Sequence, residues 1–147
     1  MLNVYNWYKF SNFLYKKKIP IVPSILTYMI RLIFGGYIPA TSEIGRGTKI
    51  GYGGIGIVIH GRAVIGENCI ISQCVTIGGT SKKRGVPKIG KNVLIGAGAK
   101  ILGDINVGDN CVIAANSVVV NDVESNTLVG GIPAKIIKKN ININDYK

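Results

Sequence analysis

The sequence predicts an all-β chain coiled into a parallel β-prism, with a short α-helical start closing one end. Three observations carry this reading. Aliphatic residues recur every six positions along most of the chain, and a second small or apolar residue follows each of them four positions later. Glycine occupies 20 of 147 positions, about twice its average usage, with no Gly-X-Y period that would mark collagen.

The ladder runs Ile59, Ile65, Ile71, Ile77, then Ile89, Ile95, Ile101, Val107, Ile113 and Val119. Its partners are Ala63, Cys69, Val75, Val93, Ala99, Ile105, Cys111 and Ser117. An α-helix would carry such a ladder around its surface, and each interior glycine would cost about 1 kcal/mol. Short strands meeting at fixed corners hold the pattern in place. Each six-residue unit then forms one face, three faces complete a coil, and positions 18 apart should stack. Gly66-Glu67-Asn68, Gly90-Lys91-Asn92 and Gly108-Asp109-Asn110 read as corners where the backbone needs positive φ.

Two segments interrupt the period. Three residues too many separate Ile50 from Ile59, which predicts a bulge around Tyr52 to Gly56. Gly79 to Lys88 carries Lys82, Lys83, Arg84 and Pro87 where apolar rungs belong, which predicts a loop leaving the prism. Before residue 36 the six-residue period is absent, but Val22, Ile25, Leu26, Met29, Ile30 and Ile33 follow helical spacing. The chain therefore divides into a helical cap at 1–36, a prism at 37–137 and a basic tail at 138–147.

A length of 147 residues suits one domain. The formal charge of +11 points to an anionic ligand or surface. A helix-turn-helix, an aromatic RNA platform and a zinc motif are all absent, which argues against nucleic acid. Cys69, Cys74 and Cys111 are odd in number and lack CxxC spacing, so neither a disulfide framework nor a zinc ribbon is expected, and a reducing, cytoplasmic compartment fits. Cys69 and Cys111 fall on inward positions as small hydrophobes, and Cys74 is not expected to act as a nucleophile. With His60 as the single histidine, a metal site of several imidazoles is excluded, including the three-histidine zinc site of a carbonic anhydrase. Met1 to Phe10 lacks the pattern of a secretory signal, and Pro20, Pro23, Arg31 and Gly35-Gly36 interrupt the apolar stretch Ile19 to Ile38, so no membrane span is expected. Lys16-Lys17-Lys18 beside an apolar helix also suits contact with the inner face of a membrane, although capping is the first expectation.

The ladder resembles the left-handed parallel β-helix of hexapeptide-repeat acyltransferases, from about Ile38 to Ile137. Ser72-Gln73-Cys74-Val75-Thr76-Ile77-Gly78-Gly79-Thr80, Pro87-Lys88-Ile89-Gly90, the string from Ile95 to Gly103, and Gly130-Gly131-Ile132-Pro133-Ala134-Lys135 resemble the serine acetyltransferase group. Within it, the helical start and Gly56-Ile57-Val58-Ile59-His60 look most like acetyltransferases of capsule, O-antigen and exopolysaccharide synthesis. The chain departs from serine acetyltransferases in three features: their long helical N-terminal domain, the histidine of their Asp-His-Ala-Thr-Gly string, and a second histidine before Pro-Lys-Ile-Gly. Here those two strings read Ile50-Gly51-Tyr52-Gly53-Gly54-Ile55-Gly56 and Val86. The resemblance implies an O-acetyltransferase that uses acetyl-CoA and no metal, acting on a sugar hydroxyl of a surface polysaccharide or its precursor. Serine is the alternative acceptor, and a non-catalytic β-helix scaffold is the alternative of another class. It also implies a homotrimer with each acetyl-CoA between neighbouring prisms.

Transfer of an acetyl group to a hydroxyl needs a base for the hydroxyl proton, and imidazole, with a pKa of about 6.5, suits that work. His60 follows a ladder rung, and Gly78 and Gly96 stand 18 and 36 positions on. A side-chain-free column for a pantetheine arm is therefore expected beside it. Gly78-Gly79 are candidates to hold a developing oxyanion through backbone N–H groups, or else merely release the chain into the loop. Glu67 and Glu43 are the nearest carboxylates in sequence, both at exposed corners, and the orienting group of His60 stays open. By resemblance, Ala97 and Ala115 would contact pantetheine and adenine through their backbones, and Lys135 or Lys138 would meet the nucleotide phosphate.

Overall fold

The computed structural model describes residues 3–147. The six-residue units fold into strands of two or three residues, because each face leaves room for one outward and one inward side chain between corners. In chain order these are β1 (Glu43–Ile44), β2 (Lys49–Ile50), β3 (Val58–Ile59), β4 (Val64–Ile65), β5 (Ile70–Ile71), β6 (Thr76–Gly78) and β7 (Lys88–Ile89). They continue as β8 (Leu94–Ile95), β9 (Lys100–Leu102), β10 (Asn106–Val107), β11 (Val112–Ile113) and β12 (Val118–Val119), followed by β13 (Thr127–Gly131) and β14 (Ala134–Lys139). Three parallel sheets result. The first face stacks β1-β4-β7-β10, the second β2-β5-β8-β11-β13, and the third β3-β6-β9-β12; β14 pairs antiparallel with β13 at the top of the second face. Ladder residues from Ile59 to Val119 are at most 3% exposed and their partners at most 6%, so the period of six marks the core.

Stacking at a fixed interval of 18 is corrected by the two insertions. Ile59 pairs with Ile77 and Ile95 with Ile113, both 18 apart. Coils containing Gly79 to Lys88 pair at 24, as in Ile65 with Ile89 and Ile77 with Ile101. Coils containing the bulge pair at 21, as in Ile50 with Ile71. A slip of one residue along a strand would turn inward side chains outward, so extra residues are accommodated only at corners.

The three corners take the expected positive φ, and the asparagine of each adopts it. Asn68, Asn92 and Asn110 adopt the left-handed conformation, at φ of 56, 56 and 57°, while Gly66, Gly90 and Gly108 do not. Asparagine tolerates that region because its short polar side chain bonds locally. Here Asn92 Nδ2 donates to Asn110 Oδ1 at 3.2 Å, and Asn110 Nδ2 to Asn126 Oδ1 at 3.0 Å. The glycines serve close approach instead: a Cβ on Gly66 would stand 2.5 Å from Gly90 O in the next coil.

The cap contains α1 (Val4–Lys16), which the spacing did not announce, and α2 (Val22–Phe34). Val4 and Tyr8 of α1 enter the core. The open end of a solenoid leaves backbone groups without a neighbouring coil, and α1 satisfies several of them. Tyr8 Oη donates to Ser42 O at 2.7 Å and accepts from Ile44 N at 3.0 Å. Tyr5 Oη donates to Gly45 O at 2.8 Å, and Asn12 Nδ2 donates to Ala40 O at 2.8 Å. α2 buries Pro23, Thr27 and Ile30, whereas Val22, Ile25, Met29 and Ile33, spaced to form its inward face, are exposed. The reason is polar: Thr27 Oγ1 accepts from Ala40 N at 3.3 Å, which an aliphatic face could not do. Among the described residues, no helix is long and apolar enough to cross a membrane. Beyond residue 137, Lys139 pairs with Glu124 at 3.0 Å, Ile141 is buried, and Lys147 Nζ donates to Asn68 O at 3.1 Å.

Replacing Tyr8 with Phe removes both hydrogen bonds and should lower stability by about 1–3 kcal/mol in denaturant unfolding. Burial pushes the Tyr8 hydroxyl up to about 12, whereas an unfolded tyrosine ionises near 10. The unfolded chain therefore loses its proton first, so stability should fall as pH rises from 10 towards 12. Tyr8→Phe should show a shallower fall over that range.

Candidate active site

The edge between the third and first faces carries Pro39, His60, Gly78, Leu102 and Val120 in successive coils. Gly96 is not on it. The six residues added by the loop place Gly96 after β8 on the second face, and Leu102 stands above Gly78 instead. The side-chain-free column reduces to one gap, at Gly78, between His60 and Leu102.

That gap is not a requirement of the backbone. Neither Gly78 nor Gly79 has a left-handed φ; a Cβ on Gly78 would lie 3.7 Å from Leu102 Cδ2, and one on Gly79 3.5 Å from Val86 Cγ1. These are ordinary contacts, so alanine fits at both positions, and release of the chain into the loop does not explain the glycines.

His60 is half-buried at the end of β3. Its N–H donates to Ile77 O at 2.8 Å, and its Nδ1 accepts from Arg62 N at 3.1 Å. The neutral ring therefore carries its proton on Nε2. To accept a proton through Nδ1 the ring must release Arg62, at a net cost of about 0.5–1.5 kcal/mol. Glu67 faces Lys91 at 3.6 Å on a different edge and is not available to orient the ring. Glu43 lines a concavity of about 470 Å³ immediately beyond His60, together with Tyr15, Thr41, Gly61, Arg62 and Val64. A second concavity, of about 310 Å³, lies above Gly78 and includes Thr80, Lys83, Leu102, Asp104 and Asp122. Arg62 was within reach of sequence reasoning as a neighbour of His60, and Thr41 stands one coil below it through the stacking of Glu43 on Val64, but Tyr15 reaches this edge only through the docking of α1.

Ala97 and Ala115 fall elsewhere, stacked on the edge between the second and third faces, where Asn116 N donates to Ala97 O at 2.8 Å. This column leads up to the β13–β14 hairpin, which carries Lys135 and Lys138, both exposed. One face of roughly six residues, about 15–20 Å of extended chain, separates this edge from His60. A single chain therefore does not bring His60 together with Ala97, Ala115 and the hairpin lysines. Of the cysteines, Cys69 and Cys111 are buried and burial pushes both thiols up, which disfavours thiolate. Cys74 is exposed at a left-handed corner and its carbonyl accepts from Lys100 Nζ at 2.7 Å.

Residues 87–121 match the family described as bacterial transferase hexapeptide (six repeats). The chain belongs to the hexapeptide-repeat transferases. It is 40% identical over 132 residues to a serine acetyltransferase of Synechococcus elongatus, covering 88% of this chain and 54% of the relative. To the serine acetyltransferase of Staphylococcus xylosus it is 46% identical over 128 residues, covering 86% and 59%. Among solved structures, serine acetyltransferase from Brucella abortus in complex with coenzyme A superposes with a TM-score of 0.87 at 39% identity, covering 91% of this chain and 54% of that one. The Neisseria gonorrhoeae enzyme superposes with a TM-score of 0.88 at 35% identity, covering 95% and 54%. The coil is thus the left-handed parallel β-helix of these transferases. This hexapeptide-repeat chain spans little more than half the length of the relatives it matches. The closeness to polysaccharide acetyltransferases expected from Gly56 to His60 finds no support in them.

Gly78→Ala should leave thermal unfolding unchanged or slightly raised, because the site accommodates a methyl group without strain. If the gap holds a ligand, the same variant should weaken acetyl-CoA binding or turnover. Calorimetry and a thiol-release assay on one preparation separate the two effects.

Proposed function

We propose that this chain transfers an acetyl group from acetyl-CoA to a hydroxyl. The observation that carries the reading is the placement of the single imidazole one coil below Gly78, whose missing side chain leaves a gap beneath Leu102; concavities open further along the same corner, at Glu43 and Arg62 and at Thr80 and Asp104. Family membership and the coenzyme A complex of the Brucella relative support the donor. Acetyl-CoA supplies an activated thioester carbonyl. His60 takes the proton of the acceptor hydroxyl as its oxygen adds to that carbonyl, and returns it to the departing thiolate sulfur when the C–S bond breaks. Backbone N–H groups around Gly78-Gly79 meet the oxyanion that develops. Ala97 and Ala115 leave a narrow strip for the pantetheine arm, and Lys135 or Lys138 meets the nucleotide phosphates.

Serine is the acceptor favoured by the relatives, which are named as serine acetyltransferases. A sugar hydroxyl is the second reading, kept because the region of the first histidine's string, Ile50 to Gly56, holds no histidine and Val86, which is buried, takes the place of the second. Release of free thiol from acetyl-CoA in the presence of serine, and separately of sugars and nucleotide sugars, decides between them. His60→Ala should lower turnover about 10²–10⁴-fold with the productive acceptor while leaving acetyl-CoA binding nearly unchanged. Full turnover in that variant would place the base elsewhere, and no turnover by the unaltered protein with any acceptor would favour a scaffold.

The separation of the two edges supports a homotrimer in which His60 of one copy faces the Ala97–Ala115 strip of the next. If so, His60→Ala and Ala115→Trp chains, each inactive, should regain about a quarter of full activity when mixed in equal amounts and reassembled, since that share of interfaces joins two intact halves. Monomeric mass by light scattering, or no recovery on mixing, would contradict the shared site.

A further inference from the structure

α2 turns its apolar side away from the protein. At about 100° per residue, Val22, Ile25, Tyr28, Met29, Leu32 and Ile33 occupy one arc of about 140°. The buried Pro23, Thr27 and Ile30 lie opposite. Leu32 is 85% exposed and Tyr28 60%. α1 extends the patch with Phe10 and Phe13, both more than half exposed, and Trp7, Phe10 and Leu26 line a shallow apolar concavity between the helices. Isolated exposed apolar residues are ordinary, but a continuous stripe of this kind marks a contact surface.

The charge around the stripe says what it meets. Residues 1–42 contain Lys9, Lys16, Lys17, Lys18 and Arg31 and no Asp or Glu. Lys16, Lys17 and Lys18 close α1 and lead into α2, at one end of the stripe. Lys17 Nζ lies 5.8 Å from the centre of the Phe13 ring, so cation and aromatic share one surface. We propose that the helical hairpin docks on an anionic membrane surface, with α2 lying flat, its stripe among the acyl chains and Lys16 to Lys18 on the headgroups. With 13 residues, α2 is about 20 Å long, short of the roughly 30 Å hydrocarbon core, so it lies on the membrane and does not cross it. A second copy is disfavoured as occupant, because pairing two such hairpins would juxtapose like charges with no carboxylate in either to offset them. Docking leaves the cap intact, since Tyr8, Asn12 and Thr27 contact the prism from the opposite side, and it does not depend on the transferase reading.

Flotation of the purified full chain with phosphatidylcholine vesicles, with and without phosphatidylglycerol, tests the proposal. Binding is expected only to the anionic vesicles and should weaken with added salt. Replacing Lys16, Lys17 and Lys18 together by Gln should reduce partitioning about 10²-fold, whereas Lys82→Gln with Lys83→Gln, in the distant loop, should not. Leu32→Glu should abolish binding while leaving the unfolding temperature and any activity on soluble acceptors unchanged, since the side chain touches solvent. The proposal is overturned by absence of binding to either vesicle, by equal loss from the loop lysines, or by a larger assembly of the unaltered chain that Leu32→Glu splits.

Discussion

The stacking of each coil on the next is the contact on which the rest of this structure depends. Strands of two or three residues cannot form stable sheets within a coil, so their backbone partners lie only in the coils above and below, and the inward side chains of all faces join one core. Ile77 is buried because Ile59 and Ile101 occupy the same position in adjacent coils. At a coil spacing of about 4.8 Å, corners must also nest, so Gly66 and Gly90 are constrained by the neighbouring backbone and not by their own dihedrals.

Faces are thereby committed to repetition, and chemistry is left to the edges. Both insertions lie at corners, where added residues leave the register of inward side chains unaltered. The longer one, Gly79 to Lys88, leaves from the edge that carries His60 and Gly78, and Val86 and Pro87 bury themselves to anchor it. The same geometry separates His60 from Ala97 and Ala115 by a full face.

A solenoid also has ends, and at the lower one the prism offers polar backbone where a further coil would have paired. Hydroxyl and amide groups on α1 and the hydroxyl of Thr27 answer it, so the cap is fixed by polar contacts as much as by apolar ones. This explains why α2 presents a threonine and a proline inward and its aliphatic stripe outward. A helix apolar on its free side remains an unfinished surface within one chain.

The sequence by itself determined the core and the chemistry available. A strict period of six identifies inward positions because burial imposes the same requirement on every face, and a break in the count exposes both insertions. His60 was legible because it is the only imidazole in the chain. Tertiary structure decided what stands beside it: Leu102 above Gly78 in place of Gly96, Arg62 N on the imidazole, and Tyr15, Thr41 and Glu43 from distant segments in one concavity. It also decided which residue bends each corner and which way α2 faces. Periodicity reports that a helix has an apolar side, whereas the choice of what that side meets depends on the unpaired Ala40 N–H and its neighbours at the end of the prism, groups that exist only once the coils have stacked.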